Sequence, residues 1–128
     1  MRALLDTHAF LWWILDDERM SARARSTIED MRNELLLSAA SGFEISVKAA
    51  LGKLELPADP VRFVTEQLGI NRIGTLPVSM SHALAVSGLP MHHRDPFDRL
   101  IVAQARVEGL PVITTDGQLG RYDIEIIW

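Results

Sequence analysis

Asp6, Glu44, Asp98 and Asp116 each stand where an apolar run gives way to a helix start or a turn. In a fold of alternating strands and helices, the carboxyl ends of parallel strands share one edge of the sheet, and ligands bind along that edge. Helices returning to the sheet begin there too, so residues on their first turns can point into the same crevice. Gathered carboxylates demand a counter-charge: two of them ~5 Å apart repel by ~3 kcal/mol at an effective dielectric of about 20. A hard cation such as Mg²⁺ meets that demand by taking oxygen from one or two carboxylates, with water and substrate phosphate oxygens filling the remaining positions. The chemistry implied is hydrolysis of a phosphodiester. The cation lowers the pKa of a water and stabilises charge on phosphate oxygens, while a second carboxylate steers or deprotonates that water. No Ser, Cys or Lys nucleophile is required.

Each acid also has a purely local explanation. Ser41-Gly42-Phe43-Glu44 fits a capping box, in which Glu44 reaches back to the backbone of Ser41. Asp95-Pro96-Phe97-Asp98 fits the pattern loosely, Asp6 can N-cap the helix that follows it, and Asp116-Gly117 can be a turn. A cap contributes ~1 kcal/mol, less than the repulsion it would have to offset, and caps do not explain why all four acids fall at one edge. Asp95 competes with Asp98 for a place in the site, but its position before Pro96 is that of an N-cap.

The elements that must position these residues follow from periodicity and punctuation. Strands are predicted at residues 2–5, 34–38, 72–78, 112–114 and 124–127. Helices are predicted at 7–15, 21–32 with Ser21 as N-cap, 41–51 closed by Gly52, 59–68 opened by Asp59-Pro60, 79–87, and 95–108 closed by Gly109. Residues 88–94 read as a turn or loop and 117–121 as a turn or short helix. The alternation runs without a composition break, repeat or linker, giving one α/β domain over 1–128 with a mainly parallel sheet flanked by helices.

Composition narrows the chemistry further. The absence of cysteine excludes disulfides, a thiolate nucleophile and a thiolate zinc site, so a metal must be held by oxygen or imidazole; oxygen favours magnesium or manganese. The formal charge is −4, from 17 acidic and 13 basic residues, yet without the four site acids the balance is 13 against 13. Nucleic acid therefore stays open as a partner. The apolar stretches fall far short of the ~20 residues that span a bilayer and no basic, apolar, small-residue leader opens the chain, so the expectation is a soluble, cytoplasmic protein without membrane contact.

Four segments in order, Leu4-Leu5-Asp6-Thr7, Ser38-Ala39-Ala40-Ser41-Gly42-Phe43-Glu44-Ile45, His93-Arg94-Asp95-Pro96-Phe97-Asp98-Arg99-Leu100-Ile101-Val102-Ala103-Gln104-Ala105 and Thr114-Thr115-Asp116, make the chain similar to PIN-domain ribonucleases of the VapC toxin type. The resemblance spans essentially the whole chain. It implies a Rossmann-like parallel sheet, Mg²⁺- or Mn²⁺-dependent endonucleolytic cleavage of RNA, and a cognate antitoxin protein that holds the enzyme inactive. Position by position it assigns Asp6, Glu44, Asp98 and Asp116 as the catalytic, metal-binding acids. Where the family commonly has Trp or another large residue before its Glu, this chain has Gly42-Phe43.

Around those acids, Thr7 and Thr114 are placed to hydrogen-bond carboxylate or water, and His92-His93-Arg94 is either an RNA-phosphate contact or an exposed loop. Arg99 is expected to bind phosphate or pair with acids, His8 to be structural and His82 to face solvent. Adjacent helix positions cannot share one face, so one of Trp12 and Trp13, with Phe10 or Leu11, is expected in an apolar patch covered by an antitoxin or by a second subunit in a homodimer. Among rival functions, an aspartyl-phosphate phosphotransferase of the haloacid-dehalogenase type wants a second Asp where His8 stands and a late lysine that is missing after Lys53. A receiver-like regulatory module wants the same lysine and leaves Asp98 unexplained. An inactive PIN-like or receiver-like metal-binding module acting through a protein partner is the alternative the sequence leaves standing.

Overall fold

Ala3-Leu4-Leu5 and Leu35-Leu36-Leu37 are continuous apolar runs with no polar alternation, the pattern of strands covered on both faces. In the computed structural model, which describes Met1 to Trp128, they are neighbouring strands at the middle of the sheet. The strands are β1 (Arg2–Leu5), β2 (Glu34–Ser38), β3 (Gly74–Leu76), β4 (Val112–Ile113) and β5 (Ile126–Ile127). Their order is β3-β2-β1-β4-β5, and every pair is parallel. The first three crossovers carry α-helices, α1 (Thr7–Ile14) and α2 (Ala22–Glu29) after β1, α3 (Ala39–Ala50) and α4 (Pro60–Ile70) after β2, and α5 (Met80–Ala85) and α6 (Pro96–Glu108) after β3, while the last, from β4 to β5, carries only the 3₁₀ turn Gly117–Tyr122.

The two-residue strand period splits the core. Ala3, Leu5, Leu35, Leu37 and Ile113 pack with Ala9 and Phe10 of α1, Ile28 of α2, Ile45 of α3 and Phe63 of α4. Leu4, Leu36 and Val112 point the other way, onto Ile101, Val102 and Ala105 of α6 and onto Leu119 and Tyr122. Burying side chains of this size contributes roughly 1.5–3 kcal/mol each. A one-residue slip of β1 would exchange the two sets, so the register Leu4↔Leu36 and Leu5↔Leu37 is strongly specified.

Several boundaries move from their sequence-predicted places. Strand β3 stops at Leu76 because Pro77 has no N–H to continue a ladder. Strand β5 holds two residues because its partner β4 has only two to offer, Val112↔Ile126 and Ile113↔Ile127. Helix α3 begins at Ala39, with Ser38 as N-cap through its Oγ and Ala40 N at 2.9 Å. The capping box of Ser41 and Glu44 is therefore not formed: both residues lie inside the helix, because β2 runs into α3 without a loop. Helix α6 does start as predicted, Asp95 Oδ1 accepting from Phe97 N and Asp98 N, and ends at Gly109 in the left-handed region at φ 66°.

Three further expectations are corrected. His82 is buried: its Nδ1 accepts from Ser79 N at 3.0 Å, which leaves the proton on Nε2 to donate to Glu108 Oε1 at 3.1 Å. Arg99 is also buried, and its side chain pairs with no acid. Its guanidinium donates to the carbonyls of Pro90 and Val86 at 2.9 and 3.3 Å, tying the loop before α6 to the helix. Phe10 and Leu11 are core residues, and the two tryptophans are half-buried under the chain itself. Trp12 meets Trp128 edge-on at 5.7 Å with Arg19 over its ring, while Trp13 Nε1 donates to Asn71 Oδ1 at 3.1 Å. The apolar patch expected on α1 is thus covered internally.

Candidate active site

The strand order reverses between β1 and β4: the chain leaves β1 toward β2 and β3, then returns to the opposite side of β1. Such a switch point opens a crevice beyond the carboxyl ends of the two strands. Asp6 follows β1 directly and N-caps α1, its Oδ1 accepting from Thr7 N at 2.7 Å. Beyond β4, Thr114 Oγ1 donates to Asp6 Oδ2 at 2.9 Å and accepts from Asp116 N at 3.0 Å. One hydroxyl thereby fixes both the first and the fourth acid. Asp116 Oδ1 also accepts from Gln118 N, opening the 3₁₀ turn Gly117–Tyr122.

On the other flank, Thr7 Oγ1 lies 2.7 Å from Glu44 Oε1 and 2.8 Å from Ser41 Oγ. Its single proton goes to the carboxylate, which can only accept when ionised, and Ser41 supplies the second bond. Glu44 is 2% exposed, and its other oxygen, Oε2, meets Lys48 Nζ at 2.5 Å one turn further along α3. Sequence reasoning missed Lys48. Its signal was the spacing of four from Glu44, the one at which helix neighbours meet. That bond to Glu44 also raises the lysine's pKa, although burial pulls the other way.

Asp98 sits on the first turn of α6 and makes no side-chain hydrogen bond to the other acids. Burial, followed by the charges of Asp95, Asp6, Glu44 and Asp116, pushes its carboxyl up to about 7. Burial likewise raises Asp6, against the lowering effect of its Thr114 and Thr7 bonds, with Glu44 adding to the rise. The structure therefore gathers all four predicted acids at one sheet edge, from four different elements, and sets one ammonium, that of Lys48, in direct contact with them. That donor set fits a divalent cation: carboxylate oxygens in excess of the local positive charge, fixed by hydroxyl and backbone donors, are what a hard cation takes.

The loop before α6 divides the His92-His93-Arg94 run. His92 packs edge-on against Tyr122 at 4.8 Å, Arg94 is exposed, and His93 turns inward with Nε2 3.7 Å from Asp98 Oδ2. His8 is exposed at the rim of a cavity of about 270 Å³ that Thr7, Glu44, Lys48 and Lys53 also line. Phe43 is exposed and meets Phe97 edge-on at 5.7 Å, beside Glu44 and Asp98 in sequence.

The five-stranded parallel sheet flanked by helices is the architecture of a PIN domain, and the family model of that name matches residues 3–125. The chain belongs to the PIN domain family. Within it the chain is of the VapC type: it is 35% identical over 117 residues to Ribonuclease VapC22 of Mycobacterium tuberculosis, spanning 91% of this chain and 88% of that protein. The fold recurs in the crystal structure of VapBC2 from Rickettsia felis bound to a DNA fragment from their promoter, with a TM-score of 0.73 at 15% identity, covering 98% and 97% of the two chains. It recurs again in DNA-bound VapBC from Salmonella typhimurium, with a TM-score of 0.67 at 19% identity and coverage of 98% and 96%.

Proposed function

We propose that this protein is an endoribonuclease dependent on Mg²⁺ or Mn²⁺, the toxin of a toxin–antitoxin pair, and that Asp6, Glu44, Asp98 and Asp116 hold its metal. The observation that carries the reading is the convergence of these acids, from four different elements, on the switch point between β1 and β4, where half-buried Asp98 faces the charges of Asp95, Asp6, Glu44 and Asp116. When bound, the cation supplies a lowered water pKa and positive charge for the phosphate oxygens.

The protein's own groups do the remainder. Thr114 orients the Asp6 carboxylate and anchors the Asp116 backbone, Gln118 N holds the Asp116 carboxylate and Thr7 that of Glu44, so these groups need little reorganisation when charge develops. Glu44, bonded to Thr7 and Lys48, is the acid best held for steering or deprotonating a water. Lys48 offsets one negative charge at the mouth, and with Lys53, which lines the same cavity, it offers positive charge to an incoming phosphate backbone. The family relationship supports an antitoxin as partner, and RNA and a homodimer complete the proposal for the cytoplasm; no helix is long and apolar enough to cross a membrane.

The direct test incubates the purified chain with a mixed RNA pool in Mg²⁺ or Mn²⁺, and again in chelator. Endonucleolytic cleavage should appear only with metal and should vanish in Asp6→Asn. Cleavage that persists undiminished in chelator would rule out the metal mechanism.

A further inference from the structure

His93 Nε2 is shut off from solvent and has no hydrogen-bond partner. An orphaned buried polar atom costs on the order of 1–3 kcal/mol, and an exposed loop offers an easy remedy, namely turning the ring into water. This ring is held in place instead. Tyr122 Oη, itself on a buried residue, contacts His93 Nδ1 at 2.6 Å and accepts from His93 N at 3.1 Å. Arg99 pins the same loop through the Pro90 carbonyl. The free ring nitrogen is aimed at Asp98, yet the 3.7 Å gap to Oδ2 is too long for a hydrogen bond.

What fits that gap is a cation. One donor atom each from His93, Asp98 and Asp116 lie within 4.8 Å of one another. Donors about 2.1 Å from an octahedral ion stand up to about 4.2 Å apart, so a small closing movement brings all three to bonding distance. Metal-binding histidines present one nitrogen to the ion and donate the other N–H to an orienting oxygen, and Tyr122 Oη occupies the second position.

We propose that His93 is a fifth ligand of the centre, giving Nε2 to a cation shared with Asp98 and Asp116, and that Tyr122 is the positioning residue for the ring. The inference rests on the metal-dependent reading above. Imidazole suits transition ions, whereas Mg²⁺ prefers oxygen, so His93 would set the preference of this chain for Mn²⁺ over Mg²⁺.

The test reads nitrogen at the metal independently of cleavage. Mn²⁺ is titrated into the full chain below stoichiometry and pulsed EPR is recorded with unlabelled and with ¹⁵N-histidine protein. A directly bound nitrogen should appear, change with the label, and disappear in His93→Gln, while Mn²⁺ affinity falls about tenfold and Mg²⁺ affinity changes less than threefold. Tyr122→Phe, which keeps the ring but removes its anchor, should weaken Mn²⁺ binding in the same sense. Bound Mn²⁺ without a nitrogen signal in the unaltered protein, or a signal that survives His93→Gln, overturns the proposal and leaves the acidic centre intact. Failure of Mn²⁺ to bind at all, or binding indifferent to Asp98→Asn, overturns the metal-dependent reading and this proposal with it.

Discussion

Replacing Asp98 by asparagine should make the metal-free protein more stable while abolishing cleavage. Burial and the charges of Asp95, Asp6, Glu44 and Asp116 raise the folded-state pKa of this carboxyl from 3.8 to about 7. A carboxyl whose folded pKa lies above its unfolded value leaves the native state favoured at low pH and loses that advantage as pH rises through the folded value. At about 1.4 kcal/mol per tenfold change in proton affinity, the displacement amounts to about 4 kcal/mol. The side chain is 25% exposed, so this is an upper bound. In chelator, Asp98→Asn should match the unaltered protein near about pH 4 and exceed it progressively, by about 2–4 kcal/mol above about pH 8. That gain would shift a urea midpoint by about 1–2 M, well within reach of denaturation followed by circular dichroism. The coupling among these acids is mutual, so the difference reads the relief of repulsion across the cluster of which Asp98 is one member. Adding Mn²⁺ should narrow the gap by stabilising the unaltered protein, by about 2.7 kcal/mol at a hundredfold excess over Kd. A stability difference that stays flat between about pH 5 and 8 in chelator, or an asparagine variant less stable throughout, would refute the picture of an uncompensated acidic cluster.

Glu44→Gln keeps the shape and the contact to Thr7 but removes the charge facing Lys48, so cleavage at limiting Mn²⁺ should fall by orders of magnitude and the metal required should rise; near-normal rates would take Glu44 out of the site. Thr114→Val deprives Asp6 Oδ2 of its donor and leaves Asp116 N–H without an acceptor, and should cost about 1–3 kcal/mol in urea denaturation together with weaker Mn²⁺ binding by calorimetry. His82→Leu removes the cap bond to Ser79 and the bond to Glu108, and should lower stability by about 1–3 kcal/mol while cleavage per folded molecule stays unchanged, because His82 contacts none of the four acids.

The alternation of strands and helices, and the acids at their junctions, were legible in the order of residues alone. Those features are local: both-face burial of Leu35-Leu36-Leu37 shows in three consecutive residues, and the cap at Asp95 shows in its neighbour Pro96. Even there, the start of α3 was displaced from Ser41 to Ala39, because capping rules see only a few residues and could not weigh a strand that feeds directly into a helix. Which side chains meet was set by the packing of the whole fold. The contact of Thr114 with Asp6 spans 108 positions and that of Thr7 with Glu44 spans 37, distances fixed by the order of strands in the sheet. The same cause turned His82 and Arg99 inward, covered Trp12 with Trp128, and aimed His93 at Asp98 through a tyrosine 29 residues away. Whether a polar side chain meets water, a carbonyl or an acid depends on what packs over it, and periodicity along one segment carries no information about the segment that arrives from elsewhere.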